Sequence, residues 1–258
     1  MHELEFDGHG SVVRWAEIPG RSPARVFVHG LGSSGTWVFG EVAQDPRLGG
    51  HRSLIVDLPG HGLSDRPADW GYALEDHARV IAAICEAQGL RAIDLVGHSL
   101  GGDIAIVVAA RNSGLVGRLV ISEANLDPLP ASPLGDRESQ RIVAQGEEAF
   151  VAHGYAALLR AAPGWAPTLR LASPTAIFRS ARSLLAGTTP TTRAMFYAAL
   201  MPRTFLHGDR GEPLLDVEGL VASGVRVETV ANAGHMVMDD ALDAYVDALA
   251  VALAAEPA

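Results

Sequence analysis

Gly97-His98-Ser99-Leu100-Gly101 follows directly on the apolar run Ala92-Ile93-Asp94-Leu95-Val96, and no other feature constrains the chain as much. That order reads as a strand ending in a sharp turn, with a helix starting behind it. A turn this tight needs glycine on both sides of the serine, because a Cβ there would clash with the neighbouring strand or helix. The serine is then lifted clear of the backbone, and the helix N-terminus beneath it favours developing negative charge. An ordinary hydroxyl becomes a nucleophile in this way. The plainer alternative is a strand-to-helix connection with serine as N-cap. With 28 glycines in 258 residues the pattern can arise by chance, so the rest of the chain must supply the other parts.

A chain of this length suits one α/β unit with an insertion. Hydrophobic residues at 48% and charged residues at 19% fit a well-buried core. The formal net charge of −10 argues against a nucleic-acid partner, which would need clustered Lys and Arg. The one cysteine, Cys85, lies in an apolar helical stretch and reads as a buried structural thiol. The start Met1-His2-Glu3-Leu4-Glu5 has neither a basic region nor an apolar core. No run approaches ~18 uninterrupted apolar residues, so the expectation is a soluble, cytoplasmic protein without membrane insertion.

Strand-like and helix-like segments alternate. Strands are expected at 4–6, 12–18, 25–28, 53–56, 92–96, 119–122, 204–206 and 225–230. Helices are expected at 74–88, 101–112, 214–222 and 239–254. The alternation implies a mostly parallel sheet with helices on both faces, and ligands beyond the carboxyl ends of its strands. Residues 126–202 break this rhythm with aromatics and prolines, and read as a helical cap (lid). The core is then 1–125 and 203–258. Most cap aromatics are expected to pack cap against core, with Trp165 and Phe178 among those facing substrate.

A serine nucleophile needs a base, an orienting acid and donors for the oxyanion. Of ten histidines, His235 is best placed. It follows the strand at 225–230 through Ala231-Asn232-Ala233-Gly234, at the same sheet edge as Ser99. His98 should point away from the attacking oxygen, His29 and His61 shape local hydrogen bonding, and His207 lines the pocket. Scattered histidines without HExxH spacing do not make a metal site. The oxyanion donors are expected to be the amides of Leu100, just after the serine, and Leu31. The latter lies in His29-Gly30-Leu31-Gly32-Ser33-Ser34-Gly35, where Gly30 admits substrate closely.

Residues 25–35, the run Asp57-Leu58-Pro59-Gly60-His61-Gly62-Leu63-Ser64-Asp65, residues 97–102 and Gly234-His235 together resemble, in order and spacing, the α/β-hydrolase superfamily. The resemblance covers essentially the whole chain outside the cap. It implies the α/β-hydrolase fold, a nucleophile–acid–histidine triad, no cofactor, and hydrolysis of an ester, amide, lactone or similar bond. Relatives that open epoxides or displace halide carry aspartate at the position of Ser99, so those activities are disfavoured.

The acid departs from the pattern. In most of the superfamily it follows the strand at 204–206 in a Gly-x-x-Asp arrangement, yet here the position three after Gly208 is Gly211. Asp209 and Glu212 are nearby but out of register. Some superfamily members, certain lipases and lactone hydrolases among them, carry the acid after the preceding strand. Here Leu119-Val120-Ile121-Ser122 runs straight into Glu123. A carboxylate ending a buried strand needs a partner. Glu123 is therefore the preferred acid, with Asp209 and then Glu212 as alternatives.

The expectation is a carboxylesterase or lactonase acting on a small hydrophobic substrate, as a monomer or homodimer. A carbon–carbon bond hydrolase, a cofactor-free perhydrolase and a non-catalytic small-ligand receptor stand as alternatives on the same framework.

Overall fold

The computed structural model describes residues 1–128 and 137–254. Prolines 130 and 133 of the expected cap lie outside them. Eight strands form one sheet: β1 (His2–Glu5), β2 (Val12–Ile18), β3 (Arg21–Val28), β4 (His51–Asp57), β5 (Ile93–His98), β6 (Val116–Ser122), β7 (Arg203–Gly208) and β8 (Arg226–Val230). Their order is β1-β2-β4-β3-β5-β6-β7-β8. β2 pairs antiparallel with both β1 and β4, and the neighbours from β4 onward run parallel.

Among the described residues the α-helices are α1 (Gly35–Gln44), α2 (Leu74–Ala87), α3 (Leu100–Arg111), α4 (Glu138–Ala144), α5 (Glu147–Ala149), α6 (Tyr155–Ala161), α7 (Ala166–Leu169), α8 (Pro174–Ala186), α9 (Thr192–Ala198), α10 (Val217–Ala222), α11 (Val237–Asp240) and α12 (Leu242–Ala254), with a 3-10 turn at Pro46–Leu48 and a π-helical turn at Phe150–Gly154 between α5 and α6. Every expected strand is present. The structure adds α1, which begins at the last glycine of the Gly-rich loop and is not among the expected helices. The last helix divides at Ala241, where the extended φ of −149° interrupts it.

β5 is buried along its whole length between β3 and β6, and its one carboxylate, Asp94, is paired there with Arg118 at 2.8 Å. Strand alternation sorts its residues between two cores. Leu95 joins the core beneath α2 and α3, whereas Val96 joins the one formed with α1 and α12. Cys85 belongs to the first core, and burial pushes its thiol up to about 12.

The segment between β6 and β7 carries α4 to α9. Most of its apolar residues do not pack onto the sheet as expected. Ile142, Phe150, Leu158, Leu169, Ile177 and Phe178 form a third cluster of their own, with Tyr155 and Trp165 against it. Short helices with one apolar face each bury more area by folding on one another than by lying singly on a helix-covered sheet. Leu31 touches this cluster and the main core alike, and Phe196 of α9 enters the main core.

Candidate active site

Four chain segments meet at the carboxyl edge of the sheet. The first is the turn from β5 into α3. Ser99 sits there at φ 52°, ψ −125°, a conformation that L side chains rarely adopt. Strain of this kind persists only where surrounding structure over-determines it. Here a Cβ on Gly97 would strike the backbone of Gly101, and a Cβ on Gly101 would strike the carbonyls of Val28 and His29. The Ser99 amide is tied to the Ser122 carbonyl at 2.8 Å.

The second segment, after β8, brings in His235. Its Nε2 lies 3.1 Å from Ser99 Oγ, within hydrogen-bond reach. The imidazole is the exposed member of the group, with 56% of its side chain accessible. The third segment follows β6. Glu123 Oε2 lies 3.5 Å from His235 Nδ1, and only 10% of the Glu123 side chain is exposed. Its other oxygen, Oε1, accepts the Gly208 amide at 2.7 Å. Glu123 has φ 55°, so the chain turns sharply where the strand ends and aims the carboxylate across β7.

Gly211 explains how this arrangement relates to the more familiar one. A Cβ at Gly211 would lie 3.6 Å from Glu123 Oε2. Side chains from either loop would therefore enter the same space beside the histidine. The other two acids are engaged differently. Asp209 is exposed and has no ion pair or hydrogen bond to its side chain among the described residues. Glu212 forms an ion pair with Arg137.

The fourth segment is the loop after β3. A Cβ on Gly30 would stand 3.1 Å from Ser99 Cβ, so this peptide runs directly past the serine. His29 Nε2 accepts the Leu58 amide at 3.0 Å, which leaves the proton on Nδ1 to donate to the Gly30 carbonyl at 2.7 Å. In a trans peptide the Leu31 N–H must then point the other way. Burial drives the His29 pKa down to about 4, so the ring stays neutral. Leu100 is the first residue of α3, behind Ser99.

Trp165 of the inserted segment donates Nε1–H to the Gly32 carbonyl at 3.0 Å, and its ring covers the face of Gly32 where any Cβ would collide. Phe178 is only 3% exposed and packs 6.0 Å from Phe150, inside the cluster of the inserted helices. His207 contacts Thr229 Oγ1 through Nε2 at 3.0 Å. Of the residues expected to line a substrate site, the structure brings Gly30 to the serine and Trp165 to the adjoining loop, and engages Phe178 and His207 in these other contacts.

Sequence reasoning missed two supports. Asp103, one turn into α3, is 2% exposed and accepts the amides of Asn125 and Leu126 at 3.3 Å each, holding the chain just beyond Glu123. Burial raises its pKa to about 6. A single acid in the otherwise apolar Leu100-Gly101-Gly102-Asp103-Ile104-Ala105-Ile106-Val107-Val108 was the available signal. The second is His98, whose Nε2 meets the His235 carbonyl at 2.8 Å.

The sequence pattern of the alpha/beta hydrolase fold family matches residues 23–242. Among curated proteins, a probable lysophospholipase of Arabidopsis thaliana is 32% identical over 132 residues, 48% of this chain and 26% of that protein. A 2-succinyl-6-hydroxy-2,4-cyclohexadiene-1-carboxylate synthase of Yersinia pestis is 44% identical over 101 residues, 38% of this chain and 35% of that protein. The chain thus spans about a third or less of the length of these relatives. Among solved structures, an esterase from Exiguobacterium antarcticum superposes with TM-score 0.79 at 20% identity, covering 98% of this chain and 99% of that one. The N-acyl homoserine lactonase AidH gives 0.77 at 22% identity, covering 98% and 96%. Among the described residues no helix is long and apolar enough to cross a membrane.

Proposed function

Because this chain belongs to the alpha/beta hydrolase fold family, we propose that it is a serine hydrolase in which Ser99 is the nucleophile, His235 the base and Glu123 the orienting acid. The observation that carries this reading is the 3.1 Å approach of His235 Nε2 to a serine held at φ 52°. In a backbone conformation that costs energy, a hydroxyl aimed at an imidazole is most simply a nucleophile with its base.

His235 takes the Ser99 proton as Oγ attacks the substrate carbonyl. The amides of Leu31 and Leu100 receive the oxyanion, supported by the His29 bond that fixes the Gly30 carbonyl and, across the trans peptide, the direction of the Leu31 N–H. His235 then protonates the leaving alcohol and the acyl-enzyme forms. Water, deprotonated by the same imidazole, attacks the ester carbon and releases the acid with Ser99 reprotonated. Glu123, fixed by the Gly208 amide, holds the imidazole in the tautomer that leaves Nε2 free to accept the proton. The segment 126–202 acts as a cap whose Trp165 braces the oxyanion loop.

Carboxylic esters and lactones of small hydrophobic molecules are the substrate class that fits best. An esterase and a lactonase share the fold, and the inserted helices next to the site are rich in apolar side chains. A second reading, in which the same groups act on a bond other than an ester, draws on the sequence match to the Yersinia synthase.

A panel of p-nitrophenyl esters, lactones, amides and β-diketones, run against the native protein and Ser99→Ala, tests both. Ester or lactone turnover that falls by ~10⁴-fold or more in Ser99→Ala supports the proposal. Turnover unchanged in Ser99→Ala refutes it, and turnover confined to diketones favours the second reading.

A further inference from the structure

We propose that His98 is a positioning residue that sets the base in place by holding the backbone of His235 and spacing it from the oxyanion loop. The inference rests on the serine-hydrolase reading above. Strand alternation puts His98 on the face of Val96, whose cluster includes Val230, Ala233 and Val237, the residues that frame the loop carrying His235. The side chain is therefore delivered under that loop by the strand that also delivers Ser99.

Three observations specify what it does there. His98 is 2% exposed, and Nε2 lies 2.8 Å from the His235 carbonyl oxygen. A carbonyl can only accept, so Nε2 carries the proton and Nδ1 is a bare lone pair. That Nδ1 is buried and has no hydrogen-bond partner. It faces Gly30, where a Cβ would come within 3.2 Å of it. One ring thus spans from the oxyanion loop to the carbonyl of the base. A buried polar atom left unpaired is destabilising, and that is more readily tolerated where the ring is needed for its other contact.

The need is visible in the loop itself. Upstream of His235 the chain is tied by Arg210 N–H to the Ala233 carbonyl and by Gly234 N–H to Asp240 Oδ2, both at 2.8 Å. Among the described hydrogen bonds, His98 is what ties the His235 carbonyl. The imidazole of His235 is too exposed for packing to fix it. The tie to His98 holds the His235 backbone, from which the imidazole reaches Ser99 at 3.1 Å. The groups nearest the His98 ring electrostatically are His235 and His29, and burial drives its pKa down to about 3, so it works as a neutral donor.

Three substitutions separate this role from packing. Gln places an amide nitrogen near the position of Nε2, Phe fills the ring space without a donor, and Asn places its amide near Nδ1, out of reach of the carbonyl. The measurements are kcat and KM on a p-nitrophenyl ester that the native protein hydrolyses, together with the thermal midpoint. His98→Phe and His98→Asn are expected to lower kcat at least ~10-fold with KM within ~2-fold, and His98→Gln to recover most of the loss. If Phe does not fold, the Gln and Asn pair decides. Phe or Asn within ~2-fold of native kcat overturns the proposal, as does Gln losing as much as the variant without a reaching donor. The underlying reading fails separately, through an active Ser99→Ala.

Discussion

Two loops at the carboxyl edge of the sheet could orient the base, and they are built in opposite ways. The loop after β6 is clamped: Glu123 is largely buried, its carboxylate accepts the Gly208 amide, and Asp103 holds the two residues beyond Ala124. The loop after β7 is open. Asp209 is solvated, Gly211 has no side chain, and Glu212 is 60% exposed against Arg137. An orienting acid needs a fixed position and a poorly screened path to the imidazole, and only the first loop offers both. The β7 loop contributes backbone instead, through the Gly208 amide.

The largest effect that would break this contrast is on Glu123→Gln. The amide keeps the shape and loses the charge, and kcat is expected to fall by ~10³–10⁴-fold in steady-state ester hydrolysis, with the fold intact by circular dichroism. A smaller effect sharpens it. A side chain at Gly211 would grow toward the Glu123 carboxylate. Gly211→Asp placed in Glu123→Ala should therefore restore ~10-fold or more of the lost kcat, and no recovery would mean that the two loops do not converge on one nitrogen.

Acid sensitivity should come from neither loop. His29, His61, His77 and His98 are buried, with pKa values pushed by burial to about 4 for His29, about 3 for His61 and His98, and well below normal for His77. The unfolded chain protonates them near 6.5, so stability is present above that pH and is lost as pH falls toward 4. Asp103 works the other way: its raised pKa favours the folded state at low pH and that contribution is lost as pH rises through about 6. Asp57, Asp94 and Asp239, also raised by burial, act with Asp103. The four histidines begin to protonate in the unfolded chain near 6.5, inside the window from pH 7 to 5, so urea midpoints at pH 7 should exceed those at pH 5. The smallest effect is Asp209→Asn, expected within ~2-fold of native kcat.

The central strands were legible because each carries a short apolar core, Val26-Phe27-Val28, Leu54-Ile55-Val56 and Leu119-Val120-Ile121 among them, and the turn at Ser99 because its glycines have no alternative there. Helix α1 was not, because a Gly-rich stretch hides the buried face of Val38, Phe39 and Val42. Glu123 was legible as a charged residue ending a buried strand. His98 was not, since its partner is a backbone carbonyl far along the chain, and sequence periodicity carries no information about that atom. The inserted helices were legible as an interruption, but their preference for packing on one another depends on tertiary area that no local pattern reports.

The central claim is that Ser99 is activated through His235 by Glu123. It is tested most directly by the rate at which a fluorophosphonate probe labels the protein, followed by intact mass and peptide mapping. A single adduct on Ser99, absent in Ser99→Ala, slowed ~100-fold or more in Glu123→Gln and unchanged in Asp209→Asn, is the predicted result. An adduct on another residue, or labelling slowed by Asp209→Asn and not by Glu123→Gln, would contradict it.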